Sequence, residues 1–290
     1  MSAALAIDLG GTNLRAGLSR DAGEPTPLGH WRAPTDLAGF RDRIGGLIGE
    51  HAVTRLGIAI PGLAAGTKSA WVPNLPYLDG EDMTDLFPGV RVAIGNDAHM
   101  ALLAEAALGA ARDSDDAILL AIGTGIGSAV LADRRIVRGA RGGATSFGWA
   151  CVDPSDSGDE AHGWLERHAS GRALDAIARQ QGHGDGATLI AAARSGDTDA
   201  VRSLETPAAA LGTALAGAVA LLGTRLVVVS GGVADSLDVL GPMIGRHLVR
   251  QLPPHLRAAA IVEGRYGAGA SLVGAGLAAQ GHALWTGRDG

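Results

Sequence analysis

Short apolar runs alternate along the chain with stretches of helical spacing. Leu5 to Leu9 is apolar except for Asp8, Asn13 to Ser19 alternates, and Leu28 to Ala33 predicts a third strand. Leu37 to His51 has helical spacing and leads into a buried strand, Leu56 to Ile60, which Pro61-Gly62 ends. A turn-rich loop holds Pro73 to Pro76. A strand at Val90 to Ile94 and a helix of Ala, Leu and Met at Ala98 to Ala111 follow. Arg112 to Asp116 is a polar break. Beyond it the pattern predicts strands at Ala117 to Ile122 and Ser128 to Asp133, then an irregular stretch from Gly139 to Gly163. Helices are predicted at Gly163 to Arg167, Arg172 to Gln181, Ala187 to Arg194 and Asp197 to Leu222, the last broken at Pro207. A strand at Leu226 to Val229, a helix at Ser236 to Gln251, a strand at Ala260 to Val262 and a closing helix at Ala268 to Ala279 complete the series. This alternation predicts an α/β protein. The polar break divides it into a small lobe over 1–112 and a large lobe over 113–290, with the closing helix, 268–280, packing back on the small lobe.

Composition narrows the partners. The chain has 290 residues, 47% of them hydrophobic, enough for a sizeable core. Lys and Arg number 24 against 30 Asp and Glu, a net charge of −6, which disfavours a nucleic-acid partner. Lys68 is the only lysine. Cys151 is the single cysteine, so neither an intramolecular disulfide nor a zinc site of several thiolates is expected. The start, MSAALAIDLGG, lacks the basic residues and long apolar run of a signal peptide. The longest apolar stretch, Thr213 to Val229, is interrupted by Thr224 and Arg225 and reads as a buried helix running into a strand. The expectation is a soluble cytoplasmic protein with no membrane partner.

Glycine is the outlier, at 45 residues. It gathers at Gly10-Gly11, Gly123 to Gly127, Gly139 to Gly148, Gly231-Gly232 and Gly264 to Gly276. Glycine at strand ends lets backbone approach a ligand. The segments ALAIDLGGTNLRAGLS and AILLAIGTGIGSAVLAD both read as apolar strand, tight turn and alternating strand. They suggest a duplicated architecture with a cleft between two lobes, or two hairpins alike by chance. Neither turn has the Lys and helix of a P-loop or the spacing of a dinucleotide fingerprint. Each is either an ordinary hairpin turn or a cradle whose amides and Thr hydroxyl face phosphates. Asp8 then stands where it can hold hydrated Mg²⁺. Asn96-Asp97 is either a helix cap or a carboxylate placed to take a proton from a hydroxyl. Gly231-Gly232, after Val227 to Val229, is a plain turn or a nucleotide contact at a strand's carboxyl end. Glu166 is a solvated helix residue or a second carboxylate facing substrate.

In this order the motifs resemble those of the ROK family (repressors, uncharacterised open reading frames and sugar kinases). The resemblance covers nearly the whole chain. It implies the two-lobed, actin-like ATPase fold, related to ribonuclease H, with nucleotide and substrate in an interlobe cleft. Asp8 to Thr12 resembles the first phosphate motif, Ile122 to Ser128 the second, and Gly231 to Ala234 the nucleotide-side GGV. Gly57 to Gly62 resembles the family's GxxxPG-like strand end, and Trp71 to Gly80 its NLP substrate loop. Gly95 to Ala98 resembles the NDA segment. The resemblance implies ATP and Mg²⁺, with Asp97 as general base and Asp8 reaching Mg²⁺ through water. Gly10, Gly11, Thr12, Asn13, Gly123, Thr124, Gly125, Gly231 and Gly232 hold the nucleotide. Asn96, Glu166, Gly62, Asn74, Gly142, Ser146 and Trp149 line the substrate site. The first motif starts at Asp8, so no N-terminal helix-turn-helix of the repressor branch is expected. A homodimer is expected from the family alone.

The departures are specific. Where the family shows GxxGxAGExGH, Ser146 stands at the sugar-contacting Glu and Trp149 at the His. The CxCGxxGC zinc segment is missing, and Gly163-Trp164-Leu165-Glu166 replaces GCLE, so no structural zinc is expected. His162 and His168 read as surface or helix residues. Losing a carboxylate and an imidazole costs about 1–3 kcal/mol per charged hydrogen bond. That loss favours a modified hexose or a cyclitol over plain glucose. An ordinary glucokinase, an N-acetylhexosamine kinase and an inactive sugar-binding protein are the alternatives.

Overall fold

A computed structural model describes residues 3–21 and 23–286. In chain order, β1 (Ala4–Leu9), β2 (Asn13–Ser19) and β3 (Thr26–Arg32) lead to α1 (Leu37–His51) and β4 (Arg55–Ile60). The short pair β5 (Leu63–Ala65) and β6 (Lys68–Trp71), then α2 (Met83–Leu86), β7 (Arg91–Asn96) and α3 (Asp97–Leu108) follow. Next come β8 (Ala117–Ile122), β9 (Ile126–Ala132), β10 (Arg135–Ile136), α4 (Trp164–Ala169), α5 (Gly171–Gln180), α6 (Gly186–Arg194) and α7 (Thr198–Leu222). The chain ends with β11 (Leu226–Ser230), α8 (Leu237–Gln251), β12 (Ala260–Glu263), α9 (Ala270–Ala279) and α10 (Ala283–Thr286).

The chain packs as two compact units, Met1–Asp113 with Ala129–Thr145 and Gly269–Gly290, and Ser114–Ser128 with Ser146–Ala268. A single division after Arg112 is therefore not what the structure has. The second half of β9, β10 and the segment to Thr145 belong to the first unit, because β10 and α10 pack on α3 there. Residues 287–290, with which the expected large lobe ends, lie outside the described residues.

The first unit holds a five-stranded sheet in the order β3-β2-β1-β4-β7. β1 pairs antiparallel with β2 and parallel with β4, and β4 parallel with β7. Every residue of β1 is buried, as is all of β4 after Arg55, so both faces of these central strands are covered. Helix α1 starts at Asp36, whose side chain accepts from the Gly39 amide at 2.8 Å, and buries Phe40, Ile44 and Leu47 at i, i+4 and i+7. Burying each of these side chains is worth about 1.5–3 kcal/mol. Phe40 meets Phe87 with ring centroids 5.9 Å apart. Helix α9 packs on β1, β4 and α3. Its small residues permit the approach, with Gly274 against the Met100 backbone and Ala275 against Gly57.

In the second unit β11 lies parallel to both β8 and β12. Helix α7 runs unbroken through Pro207, contrary to the expected break. A proline removes one i→i−4 bond and crowds that carbonyl. Here packing outweighs the loss, since Leu204, Pro207, Ala208 and Leu211 are buried and α7 lies along α8. His247 and Arg246 of α8 also meet Glu205 of α7, at 2.7 and 3.2 Å. By length and composition α7 could cross a membrane, but its apolar stripe is spent on this packing. The β5–β6 pair was not predicted. Its strands are too short for a periodic signal, and the pairing is set by contacts around Ser69, whose amide donates to the Glu81 carbonyl at 3.0 Å.

Candidate functional site

The first Gly turn sits in the first unit between β1 and β2. The Gly10 amide donates to the Asn13 carbonyl at 2.8 Å, and Gly11, Thr12 and Asn13 are exposed. Asn74 packs its Cβ beside Gly11. Antiparallel register places Asp8 opposite Arg15, and Arg15 Nη2 lies 2.5 Å from Asp8 Oδ2. Asp8 is buried, which pushes its carboxyl above the usual range, while the charge and hydrogen bond of Arg15 pull the other way.

β7 delivers the second group. Its carboxyl end runs directly into α3, so Asn96 is the N-cap and Asp97 the first helical residue. The Ala98 amide donates to Asn96 Oδ1 at 2.9 Å and to Asp97 Oδ1 at 2.7 Å. Asn96 Nδ2 donates to the Gly62 carbonyl at 3.1 Å, tying the cap to the end of β4. Ser271 of α9 donates to the Asp97 carbonyl at 3.3 Å. Burial pushes the Asp97 carboxyl up to about 6, the Ala98 amide opposes the rise, and the charge of Asp8 adds to it. Asp97 nevertheless keeps part of its surface open. Gly142 has φ +73 and lies against the Ala64 carbonyl, a place no Cβ fits. Asp8, Asn74, Gly62, Asn96, Asp97 and Gly142 thus all belong to the first unit.

The remaining predicted residues belong to the second unit. Between β8 and β9 the Gly123 amide donates to the Gly125 carbonyl at 3.0 Å, and Thr124 is exposed. The Gly171 amide donates to the Gly123 carbonyl at 2.7 Å, joining the turn to the start of α5. After β11, Gly231 has φ +84 and a Cβ there would lie 2.6 Å from the Ile122 carbonyl, so only glycine fits. The Val233 amide donates to that same carbonyl at 3.1 Å. Gly123, Thr124, Gly171, Arg172, Gly232 and Val233 line a cavity of about 370 Å³.

Glu166 stands in the first turn of α4. Its Oε2 accepts weakly from the Ile126 amide, at 3.4 Å. Its Oε1 accepts from Arg172 Nη2 at 3.1 Å and lies 3.5 Å from His162 Nδ1. Ser146 is exposed, and Trp149 is 49% exposed in a turn whose Phe147 amide donates to the Ser128 hydroxyl at 3.1 Å. His168 stacks on Trp164 at 4.2 Å. Across residues 150–163, Arg167 holds the chain by donating to Asp156 at 2.8 Å and to the His162 carbonyl at 3.3 Å. Cys151 is exposed with Sγ 3.1 Å from the Asp153 carbonyl. Among the described residues no group of three His, Cys, Asp or Glu side chains is placed to hold a metal ion.

Sequence reasoning missed Arg15 beside Asp8 and His99 two residues after Asp97 in the first unit, and His162 and Arg172 beside Glu166 in the second. Arg15 was legible, since a three-residue turn between antiparallel strands sets it opposite Asp8. His99 is 2% exposed on α3, burial pushes it down to about 4, and its Nε2 meets no partner among the described residues. Nothing local marked Arg172, because its contacts depend on how α4 meets α5.

Comparisons with known proteins bear on the family and the fold. The bifunctional enzyme NanE/NanK of Brucella melitensis is 36% identical over 190 residues, 64% of this chain and 35% of that enzyme. The chain thus spans about a third of the length of such bifunctional relatives. An N-acetylmannosamine kinase of Citrobacter koseri is 31% identical over 299 residues, covering 96% of this chain and 98% of its own. The crystal structure of a ROK family glucokinase from Streptomyces griseus, in complex with glucose and AMPPNP, superposes with a TM-score of 0.78. It is 27% identical and covers 96% of this chain and 99% of its own. The fold is accordingly the actin-like ATPase fold of these proteins. The sequence model of the ROK family matches residues 4–282. With that match over nearly its whole length, and with both glycine turns and the Asn96-Asp97 cap in place, the chain belongs to the ROK family.

Proposed function

We propose that this protein is an ATP-dependent sugar kinase that transfers the γ-phosphoryl group to a hydroxyl of a sugar or sugar-like polyol. The observation that carries the reading is Asp97. It is a partly open carboxylate, fixed at the start of α3 by the Ala98 amide and pushed up to about 6, close to the best range for a general base near neutral pH. Relatives that carry kinase names over nearly their whole length support it. Asp97 takes or orients the proton of the accepting hydroxyl, and Asn96, held on the Gly62 carbonyl, orients a neighbouring hydroxyl. Gly62, Asn74 and Gly142 are further substrate-binding residues of the first unit. Gly10, Gly11, Thr12 and Asn13 form the phosphate-binding turn of the first unit, and Gly123, Thr124, Gly125, Gly231 and Gly232 form the nucleotide-binding turns of the second. Asp8 fits an outer-sphere role towards Mg²⁺. Arg15 occupies one carboxylate oxygen, which suits contact with the cation through water. Mg²⁺ neutralises charge on the β- and γ-phosphates when it binds with ATP.

For the substrate, we favour a modified hexose or a cyclitol over plain glucose. Ser146 and Trp149 supply a hydroxyl and a half-exposed indole where the family has a carboxylate and an imidazole. An N-acetylhexosamine is the second reading, supported by the N-acetylmannosamine kinase names among the relatives. We place the enzyme in the cytoplasm, as a homodimer without structural zinc. The test is ADP release with Mg-ATP across hexoses, N-acetylhexosamines, deoxy sugars and cyclitols, with Asp97→Asn run alongside. Turnover of one compound that vanishes in the variant is expected. No turnover of any compound by a wild-type protein that still binds ATP would instead favour a binding-only protein.

A further inference from the structure

Arg172 borders two cavities at once. It lines the cavity of about 370 Å³ beside Gly123, Thr124 and Gly232. It also lines a second one of about 180 Å³ together with His162, Glu166 and Ser170. In the present arrangement it faces the second. Nη2 donates to Glu166 Oε1 at 3.1 Å, and Nη1 lies 2.9 Å from His162 Nε2. Arginine only donates, so Nε2 accepts and the ring proton of His162 sits on Nδ1, the atom 3.5 Å from the same Glu166 oxygen. Arg172 Nη2 thus donates to Glu166 Oε1, with His162 Nδ1 beside the same oxygen. The Arg172 side chain is 48% exposed and starts from the first turn of α5, beside the Gly171 amide that anchors the Gly123 turn. Its long, flexible stem reaches either cavity by rotamer change alone.

Resting on the assignment of the larger cavity to ATP, we propose that Arg172 is a phosphate-binding residue for which the triphosphate and Glu166 compete. Phosphate oxygens present more negative charge and a bidentate acceptor geometry, so the nucleotide draws the guanidinium away from Glu166. Glu166 Oε1 then loses its strongest donor and accepts from the substrate instead. The consequence is coupled recognition, in which the phosphoryl donor favours release of the substrate carboxylate.

The test needs no knowledge of the substrate. The affinity of the full chain for Mg-AMPPNP is measured by calorimetry in wild type, Arg172→Met and Glu166→Gln. Arg172→Met keeps the stem and removes the donors, and affinity should fall about 10- to 100-fold, as for loss of a charged hydrogen bond. Glu166→Gln removes the competing charge, and affinity should rise about 2- to 5-fold, the scale of a half-exposed ion pair. A change of less than twofold in Arg172→Met overturns the contact with phosphate. An unchanged or weaker affinity in Glu166→Gln overturns the competition, since a merely structural Glu166 gives no gain. No binding by wild type itself would fail the kinase reading, a different result from wild-type binding with unaffected variants.

Discussion

Replacing Asp97 with Asn should destroy activity and strengthen the fold, and both effects follow from one carboxylate. Asn keeps the size of the side chain and its acceptor for the Ala98 amide, 2.7 Å away in the wild type. It removes the charge and the base. Loss of general-base assistance lowers kcat/KM by about 10²–10⁴-fold, or roughly 3–5 kcal/mol at 1.36 kcal/mol per decade. For stability, the folded-state value of about 6 lies above the unfolded value of 3.8, chiefly because burial disfavours the charge. Between these two pH values the native state binds more protons than the unfolded state, so stability falls as pH rises from about 4 to 6 and stays lower above. A shift of about two units corresponds to at most about 3 kcal/mol, and the open part of the side chain reduces this to about 1–3 kcal/mol. Asp97→Asn should therefore melt several degrees higher than wild type at pH 8, and no higher at pH 4. The assay pairs thermal unfolding at the two pH values with the pH profile of kcat/KM, whose acid limb should fall below about pH 6 in wild type. A variant that keeps activity within tenfold, or that melts lower at pH 8, refutes the assignment of Asp97 as a buried, charge-strained base.

The other expectations are more local. Gly231→Ala forces a non-glycine residue to φ +84 and a methyl to within 2.6 Å of the Ile122 carbonyl, so it should lose about 1–3 kcal/mol of stability. Denaturant unfolding measures this, and weaker Mg-AMPPNP binding should accompany it. The double variant Ser146→Glu with Trp149→His restores the family's polar pair and should raise kcat/KM for glucose about tenfold relative to the natural substrate, on the scale of one charged hydrogen bond. A ratio unchanged in competition assays would remove these two positions from specificity. Arg167→Met removes the donor to Asp156 and the His162 carbonyl, and limited proteolysis within residues 150–163 should then proceed faster. The same site should loosen in acid. Its hydrogen bonds hold Asp156 below the usual carboxylate range, so the stabilisation is present above the unfolded pKa and lost as pH falls through the folded one.

Local pattern by itself determined most of the longer elements. α1 spans Leu37–His51 as its i, i+4, i+7 spacing predicts, and β2 and β8 begin and end where their apolar patterns do. Those patterns are set by neighbours within a turn or a strand, so the sequence carries them in full. The same holds for the Asn96-Asp97 cap, because a strand end followed by Asn-Asp and an alanine-rich run has few local solutions. Tertiary structure decided the rest. Helix α7 continues through Pro207 because packing against α8 outweighs one missing hydrogen bond, a comparison no local signal contains. The segment to Thr145 joins the first unit through contacts between distant residues, those of β10 and α10 with α3. Glu166 was visible as a carboxylate, but its Arg172 and His162 partners depend on the angle at which two short helices meet. Charge perturbation at Asp97 likewise comes from burial and from Asp8, 89 positions earlier in the chain. Long-range geometry sets desolvation and pairing, and these decide what an ionisable side chain does after local sequence has decided where it stands.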